Sequence, residues 1–466
     1  MDIVIGMKFL FLTPPKRSIV KEVLGVSGPP LGLGYLASIA ESLGNDVRII
    51  DPEASELNLG DLEKELSKFY PDVVGISTPT PSIYEAYKIA RLAKRINEDS
   101  KVLIGGCHAT FCDDEILEQC KSIDIVVRGE GEKTLEELIS KKFKDLREIK
   151  GITYREGNRI RRNEDRGLLK NLDDVPFPAY HLFPMDAYKA NGKKFSTMIT
   201  SRGCPFSCIF CSSSKLFGKV WRGRSAENVV EEMRMLQDEY GIKEFEFLDD
   251  TFTLNKRRAI EISNLIRKEG MDVSFTCSSR ADTINREVAE KLNKAGCHTI
   301  YLGVESGDPR ILKKLKKGIT LKQAADAIKL IKENDMNVVA SFILGYFDEG
   351  VEEMRRTIEF SKRLNPEYAQ YTIFTPYKGT EAYEIANSRD LFLTKDWRKF
   401  TTVDVVVKSR ATPAQVKQMW QRAYLEFYLR PSYLFNSIRK KNFFVLKTIA
   451  SSIKNLPGLM NTMREK

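Results

Sequence analysis

Eight cysteines in 466 residues are too few for a secreted disulfide scaffold. No stretch reaches the roughly 18 uninterrupted apolar residues that a membrane span needs. The opening MDIVIGMKFLFLTPP has Asp2 where a signal peptide would carry Lys or Arg, and it reads as a strand. Glycine and proline are not in excess, and 42% hydrophobic with 30% charged residues is the composition of a soluble globular chain, not a fibrous or disordered one. The length predicts two or three domains of about 150 residues each. Three of the eight cysteines crowd into positions 204–211, which favours a reducing cytoplasm and a metal over disulfides.

The formal net charge of +10 is concentrated at the end of the chain, where positions 429–466 hold eight basic residues against one acidic. Interleaved with Tyr433, Leu434, Phe435, Phe443, Phe444, Ile449 and Ile453, they suggest a basic amphipathic helix. Such a helix could lie on an anionic membrane face, run along RNA, or pack on its own protein.

Residues 7–142 alternate short apolar runs with helix-period segments, the pattern of parallel βαβ units. Strands are predicted at 7–13, 46–50, 72–77, 101–106 and 124–129, with helices at 32–44, 60–69, 82–97 and 131–141. In such doubly wound sheets ligands lie beyond the carboxyl ends of the strands. Those positions hold Ser77-Thr78-Pro79, Gly105-Gly106 and Gly129-Glu130-Gly131, where small residues allow close approach. A connector over 143–194 carries a predicted hairpin, GITYREGNRIRR, and the proline-rich VPFPAYHLFP. A second alternating series follows, with strands near 195–200, 243–248, 273–277, 299–303, 337–343 and 368–373. Six βα units are too few for a closed eightfold barrel but enough for an open one. From about 385 helix-like segments dominate.

The sharpest feature is Cys204-Pro-Phe-Ser-Cys208-Ile-Phe-Cys211, in the loop after the first strand of the second series. Three thiolates at C-x3-C-x2-C suit an iron–sulfur cluster. The next cysteines, Cys277 and Cys297, lie far along the chain, so a closed four-cysteine zinc site fits poorly and one iron would stay open. Asp249 and Asp250, Ser279 and Arg280, Glu305 and Ser306, Gly345 and Tyr346, and Thr375 and Pro376 each follow a predicted strand and converge on the face of the cysteine loop. An Asp after a strand also caps the next helix well. Cys107, Cys112 and Cys120 read as ordinary thiols, and the run Arg310 to Lys317 as a solvated helix face.

The triad, with Phe210 before its last cysteine, resembles the signature of the radical S-adenosylmethionine (radical SAM) enzymes. With the preceding domain, the chain resembles the branch that carries an N-terminal cobalamin-binding-type domain. Supporting segments are PPLGLGYLAS, IGGCHAT, VVRGEGEKTLEEL, FLDDTFT, YLGVESGDPRILKKLKKG and FTPYKGTEAY. The resemblance implies an α/β architecture: a doubly wound, Rossmann-like parallel-sheet domain (1–142), a linker with hairpin (143–194), a partial (β/α)6 barrel (195–384) and a mainly helical C-terminal extension (385–466).

By the same resemblance, Cys204, Cys208 and Cys211 would hold a [4Fe–4S] cluster whose open iron chelates S-adenosylmethionine. One electron, from an external reductant such as ferredoxin or flavodoxin, would then release a 5′-deoxyadenosyl radical. Phe210, Asp249, Asp250, Ser279, Arg280, Glu305 and Ser306 are the S-adenosylmethionine candidates, with Leu31, Gly32, Ser77, Thr78, Gly105, Gly106, Gly129 and Glu130 as the cobalamin candidates. The Asp-x-His-x-x-Gly motif of many cobalamin proteins is absent. Only three histidines occur, and His108 in GGCHAT is expected as a polar loop contact. The expected function is methylation or other remodelling of an unactivated carbon, with the basic tail favouring a lipid or other membrane-associated substrate, a peripheral position on the inner membrane face, and no nucleic-acid partner. A radical cyclase or carbon–carbon coupling enzyme, a methylthiotransferase acting on RNA or protein, and a non-catalytic cluster and corrinoid carrier stay open as alternatives.

Overall fold

The computed structural model describes residues 6–15, 28–190 and 192–439. Strands β1 (Lys8–Leu12), β2 (Asp46–Ile50), β3 (Val73–Ser77), β4 (Lys101–Gly105) and β5 (Ile125–Val127) form a parallel sheet in the order β2-β1-β3-β4-β5. Covered on both faces, β1 is buried at four successive positions. Phe9 and Phe11 enter one apolar cluster while Leu10 and Leu12 enter the other, as the two-residue side-chain period requires. The connector hairpin forms as β6 (Ile152–Glu156) and β7 (Arg159–Arg162) and pairs antiparallel onto β5, extending the sheet to seven strands. Buried Arg128 pins it by donating to the Asn163 carbonyl at 2.6 Å and to Asp165 at 2.8 Å.

The second sheet is built from β8 (Lys189–Ala190), β9 (Lys193–Met198), β12 (Glu244–Phe247), β13 (Ser274–Ser279), β14 (Cys297–Glu305), β15 (Asn337–Leu344) and β16 (Tyr368–Ile373). From β9 to β16 its six long strands are parallel and adjacent in chain order, the topology of an open half-barrel, and β8 adds an antiparallel edge. Ser225, Asn255, Asn285 and Thr320 accept backbone N–H groups at the starts of four of the outer helices, which is why those helices begin where they do. Phe245, Phe247 and Phe275 pack toward the helices, leaving Glu246 and Thr276 on the concave face. A short ribbon, β10 (Ser201–Arg202) with β11 (Arg222–Gly223), stands apart from this sheet and brackets the cysteine loop.

The expected C-terminal helices are present, separated by an irregular stretch. Helix Pro413–Tyr428 packs on β16, with Trp420 Nε1 donating to the Tyr371 carbonyl at 2.9 Å. Between 389 and 412 the chain is mostly irregular, closed by a bridge between Phe392 and Val407. Here Trp397 and Phe400 do the packing: they return to the first domain and join Tyr87, Ala109 and Cys112 in one cluster. Trp397 Nε1 donates to Glu115 at 2.8 Å, which also pairs with Lys378 at 3.2 Å. Helix Pro431–Arg439 is described, whereas the rest of the expected amphipathic tail, 440–466, lies outside the described residues. Among the described residues no helix is long and apolar enough to cross a membrane.

Candidate functional site

The cysteine loop leaves the ribbon at Gly203, whose φ of +92° and close surroundings admit no side chain: a Cβ there would stand 2.4 Å from the Val220 carbonyl oxygen. The Cys204 N–H donates to Gly218 O at 3.2 Å and the Cys211 N–H to Cys208 O at 3.3 Å. Ile209 anchors the loop's centre, its N–H on Leu315 O at 3.1 Å and its carbonyl accepting from Ala382 N–H at 2.9 Å. Arg280, at the end of β13, lays its guanidinium 3.4 Å from the centre of the Phe206 ring and points Nη1 at Cys208 Sγ, 3.8 Å away. Burial raises the Cys204 thiol, Asp250 and Cys208 add to the rise, and Arg280 opposes it. Among the described residues no three acidic, histidine or cysteine side chains close around a single ion. Three soft thiols on one loop, with the buried Arg280 cation beside Cys208 to offset thiolate charge, are a donor set that fits a multinuclear iron–sulfur cluster.

Around this loop the barrel's mouth is lined by buried charge. Glu305 sits at a β-bulge where β14 ends, with φ +70°, and pairs with Lys317 at 2.7 Å, both side chains 8% exposed. Arg280 is held by Asp282 at 3.0 Å and by the Lys317 carbonyl at 2.8 Å, so both pairs meet on one turn. Asp250 accepts from Ser213 Oγ. Asp249 has no free oxygen: it accepts from the Thr200 N–H and hydroxyl at 2.7 and 2.6 Å and from Ser201 Oγ, fixing the start of the ribbon. Ser279 is bound to the Thr253 hydroxyl at 2.6 Å, and Ser306, fully buried, meets Thr357 and the Asp308 N–H. Phe210 packs half-buried against the second apolar cluster. In the loop after β15, wholly buried Glu349 accepts the N–H groups of Gly345 and Tyr346 at 2.6 and 3.1 Å, its other oxygen has no partner, and burial pushes its carboxyl up to about 8.

At the carboxyl edge of the first sheet the lining is backbone. Gly106 has φ +98°, and a Cβ there would crowd Ser77 Oγ at 3.3 Å and the Thr78 carbonyl at 3.4 Å. Gly105 lies beside the Val127 carbonyl, while Gly129, at φ +69°, and Gly32 have nothing within 4 Å of where a side chain would begin. Leu31 and Thr78 are buried, and Ser77 is half-buried. This bare cradle fits a broad, flat ligand such as a corrinoid. Glu130 goes elsewhere: both oxygens are taken by Arg202, Arg222 and the Leu169 N–H. His108 lies 5.2 Å from the Trp397 ring with Nδ1 on Thr80, and burial lowers it to about 4, which leaves it neutral at pH 7.

The comparisons agree with this geometry. Residues 198–361 match the radical SAM superfamily model and residues 17–139 the B12 binding domain model. An uncharacterized methyltransferase of Pyrococcus horikoshii is 49% identical, covering 95% of this chain and 96% of the relative. An anaerobic magnesium-protoporphyrin IX monomethyl ester cyclase of Cereibacter sphaeroides is 28% identical over 91% of this chain and 71% of its own. The solved structure of the cobalamin-dependent S-adenosylmethionine radical enzyme OxsB, with aqua-cobalamin and S-adenosylmethionine bound, superposes with a TM-score of 0.74 at 20% identity, covering 93% of this chain and 69% of that one, a likeness of fold. The chain belongs to the radical SAM enzymes that carry a B12-binding domain, within the cobalamin-dependent radical SAM methyltransferase family. It is an enzyme whose cofactors are a [4Fe–4S] cluster, S-adenosylmethionine and cobalamin.

Several residues of the site escape a sequence reading. Lys317 ends a basic run that looks solvated, yet it is buried against Glu305. Its only signal is its place before Gly318, where the chain turns with φ +74°. Phe206, Glu132, Arg202 and Arg222 gave no signal of their own.

Proposed function

We propose that this enzyme transfers a methyl group to an unactivated carbon of a substrate held between the barrel's mouth and the glycine-lined edge of the first sheet. Cys204, Cys208 and Cys211 would hold the cluster, and Gly32, Gly105, Gly106 and Gly129 would border the corrinoid. When bound, these groups supply a hydrogen-abstracting 5′-deoxyadenosyl radical and a transferable methyl group, with an external one-electron donor closing the balance. The protein contributes position and charge. Arg280 neutralises thiolate charge beside Cys208, and the Glu305–Lys317 pair offers a carboxylate and an ammonium to the zwitterionic end of S-adenosylmethionine. Asp249 acts at one remove, by fixing Thr200 and Ser201 ahead of the loop. The single observation carrying the reading is that the thiol loop and the glycine cradle are joined directly, through Arg202 and the Glu130–Glu132 turn.

The concave face favours a substrate with polar, hydrogen-donating groups. Glu246 and Thr276 are neighbours in register there, and Thr276 Oγ1 is buried with no partner. The lipid expectation rested on the basic tail, most of which lies outside the described residues, and no observation on the barrel supports it.

The test is anaerobic reconstitution with iron, sulfide and hydroxocobalamin, followed by iron and cobalt analysis and incubation with methyl-labelled S-adenosylmethionine. Stoichiometric cobalt beside about four irons, and label in product, are the expected results. Iron without cobalt would overturn the methylation and favour cyclisation or coupling, the activity class of the Cereibacter relative.

A further inference from the structure

Four charged side chains meet where the segment after β5 touches the β10–β11 ribbon. Glu130 and Glu132 come from the turn after β5, Arg202 from β10 and Arg222 from β11. The Arg202 guanidinium reaches Glu130 at 3.1 Å and Glu132 at 2.6 Å, and Arg222 reaches Glu130 at 2.9 Å. No side chain of the four is more than 9% exposed, and two negative charges meet two positive ones. The connector is tied in as well: the Leu169 N–H donates to Glu130 at 2.8 Å and its carbonyl accepts from Arg222 at 2.7 Å. Arg202 also lies over the Tyr35 ring, 5.4 Å from its centre, on the helix Leu31–Ser42 that begins at the cobalamin candidates Leu31 and Gly32.

The position of this quartet gives it meaning. Arg202 stands two residues before Cys204, separated by a glycine with no room around it, and Glu130 stands one residue after Gly129. A shift at the quartet therefore displaces the cluster loop on one side and the corrinoid edge on the other. Four buried charges add little net stability, because desolvation offsets attraction, but a half-formed set leaves an uncompensated buried charge, which is strongly unfavourable. The arrangement thus favours one docked geometry and disfavours every slipped one.

We propose that Glu130 and Glu132, with Arg202 and Arg222, form a charge latch that sets the distance and orientation between the corrinoid-binding edge and the cluster loop, and that Glu130 is a positioning residue for methyl transfer, not a corrinoid contact. The latch rests on the cofactor placement proposed above, and its test does not depend on turnover.

The full chain, reconstituted with iron, sulfide and hydroxocobalamin, is compared with Glu130→Gln and Glu132→Gln. Pulsed EPR reads the distance between cob(II)alamin and the reduced cluster, and amide hydrogen exchange reads residues 198–223. Wild type should give one narrow distance. Glu130→Gln should keep its cobalt and iron, broaden that distance and speed exchange in the ribbon by about tenfold. Glu132→Gln, which leaves Glu130 paired, should show the same changes to a smaller degree and decides the matter if Glu130→Gln fails to fold. Unchanged distance and exchange in the variants would overturn the latch, as would loss of cobalt from Glu130→Gln with exchange unchanged, which makes Glu130 a corrinoid contact. Failure of all three proteins to pass label from methyl-labelled S-adenosylmethionine to the bound cobalamin would sink the proposed reaction and leave the distance measurement standing.

Discussion

The edge of the first sheet and the mouth of the half-barrel are built on opposite plans. Gly32, Gly105, Gly106 and Gly129 leave bare backbone at the first, with positive φ at two of them, whereas Arg280, Glu305 and Lys317 crowd the second with buried, paired charge. A broad, flat ligand needs room and amide edges, and a side chain there is an obstruction. A small zwitterion on a charged cluster needs countercharges held at fixed points, and a missing side chain there leaves its partner exposed to an apolar surrounding. The two regions should therefore fail in opposite ways: the first through additions, the second through deletions.

The largest break of that symmetry is Cys208→Ala. Iron binding and 5′-deoxyadenosine formation should fall to background while cobalt content stays at the wild-type level, measured by metal analysis and product chromatography. Retained 5′-deoxyadenosine would remove Cys208 from the cluster. Next comes Lys317→Met, which strands Glu305 in a site only 8% exposed. It should cost about 3–5 kcal/mol by chemical denaturation and weaken S-adenosylmethionine binding. The double variant with Glu305→Gln should recover most of the stability but not the binding. Full recovery of both would make the pair merely structural. At the other edge, Gly106→Val adds a side chain at φ +98° and ψ −175°, a region essentially reserved for glycine, which costs roughly 1–3 kcal/mol of strain. Cobalt occupancy should drop at limiting cobalamin with iron unchanged, and loss of iron instead would merge the two regions. The narrowest effect, confined to the alkaline side, concerns Glu349. Its folded-state carboxyl is raised to about 8 by burial. The folded protein therefore binds a proton that the unfolded chain gives up above about 4.5, so this group's contribution is present below that pH and is lost as pH rises toward 8. Glu349→Gln should flatten that loss, raising thermal stability at pH 8 relative to wild type and changing it little at pH 5.

The strand positions in both sheets were legible because alternation is a local property. β2, for instance, occupies the residues its apolar run predicts, and six βα units did give an open barrel. The cysteine loop was legible because its three cysteines are close in sequence. What could not be read are pairings made across long stretches of chain. Arg202 and Glu132 are 70 residues apart, and nothing near either shows that both are buried. Lys317 failed for the same reason, since a lysine beside other lysines looks solvated until a distant carboxylate covers it. Glu130 shows the limit differently. Its glycine-flanked turn was correctly placed at the edge of the first sheet, but a charged side chain there can turn toward a ligand or away from it, and only the arginines of the ribbon decide that.

The return of Trp397 and Phe400 to the first domain has a consequence for how the chain is made. The helices carrying Tyr87 and Ala109 leave the ribosome about 300 residues before the segment that covers them. Until then the young chain carries an uncovered apolar flank, the kind of surface that draws chaperones or neighbouring nascent chains. The first sheet can assemble early, but it acquires its finished exterior only after the whole barrel has been synthesised.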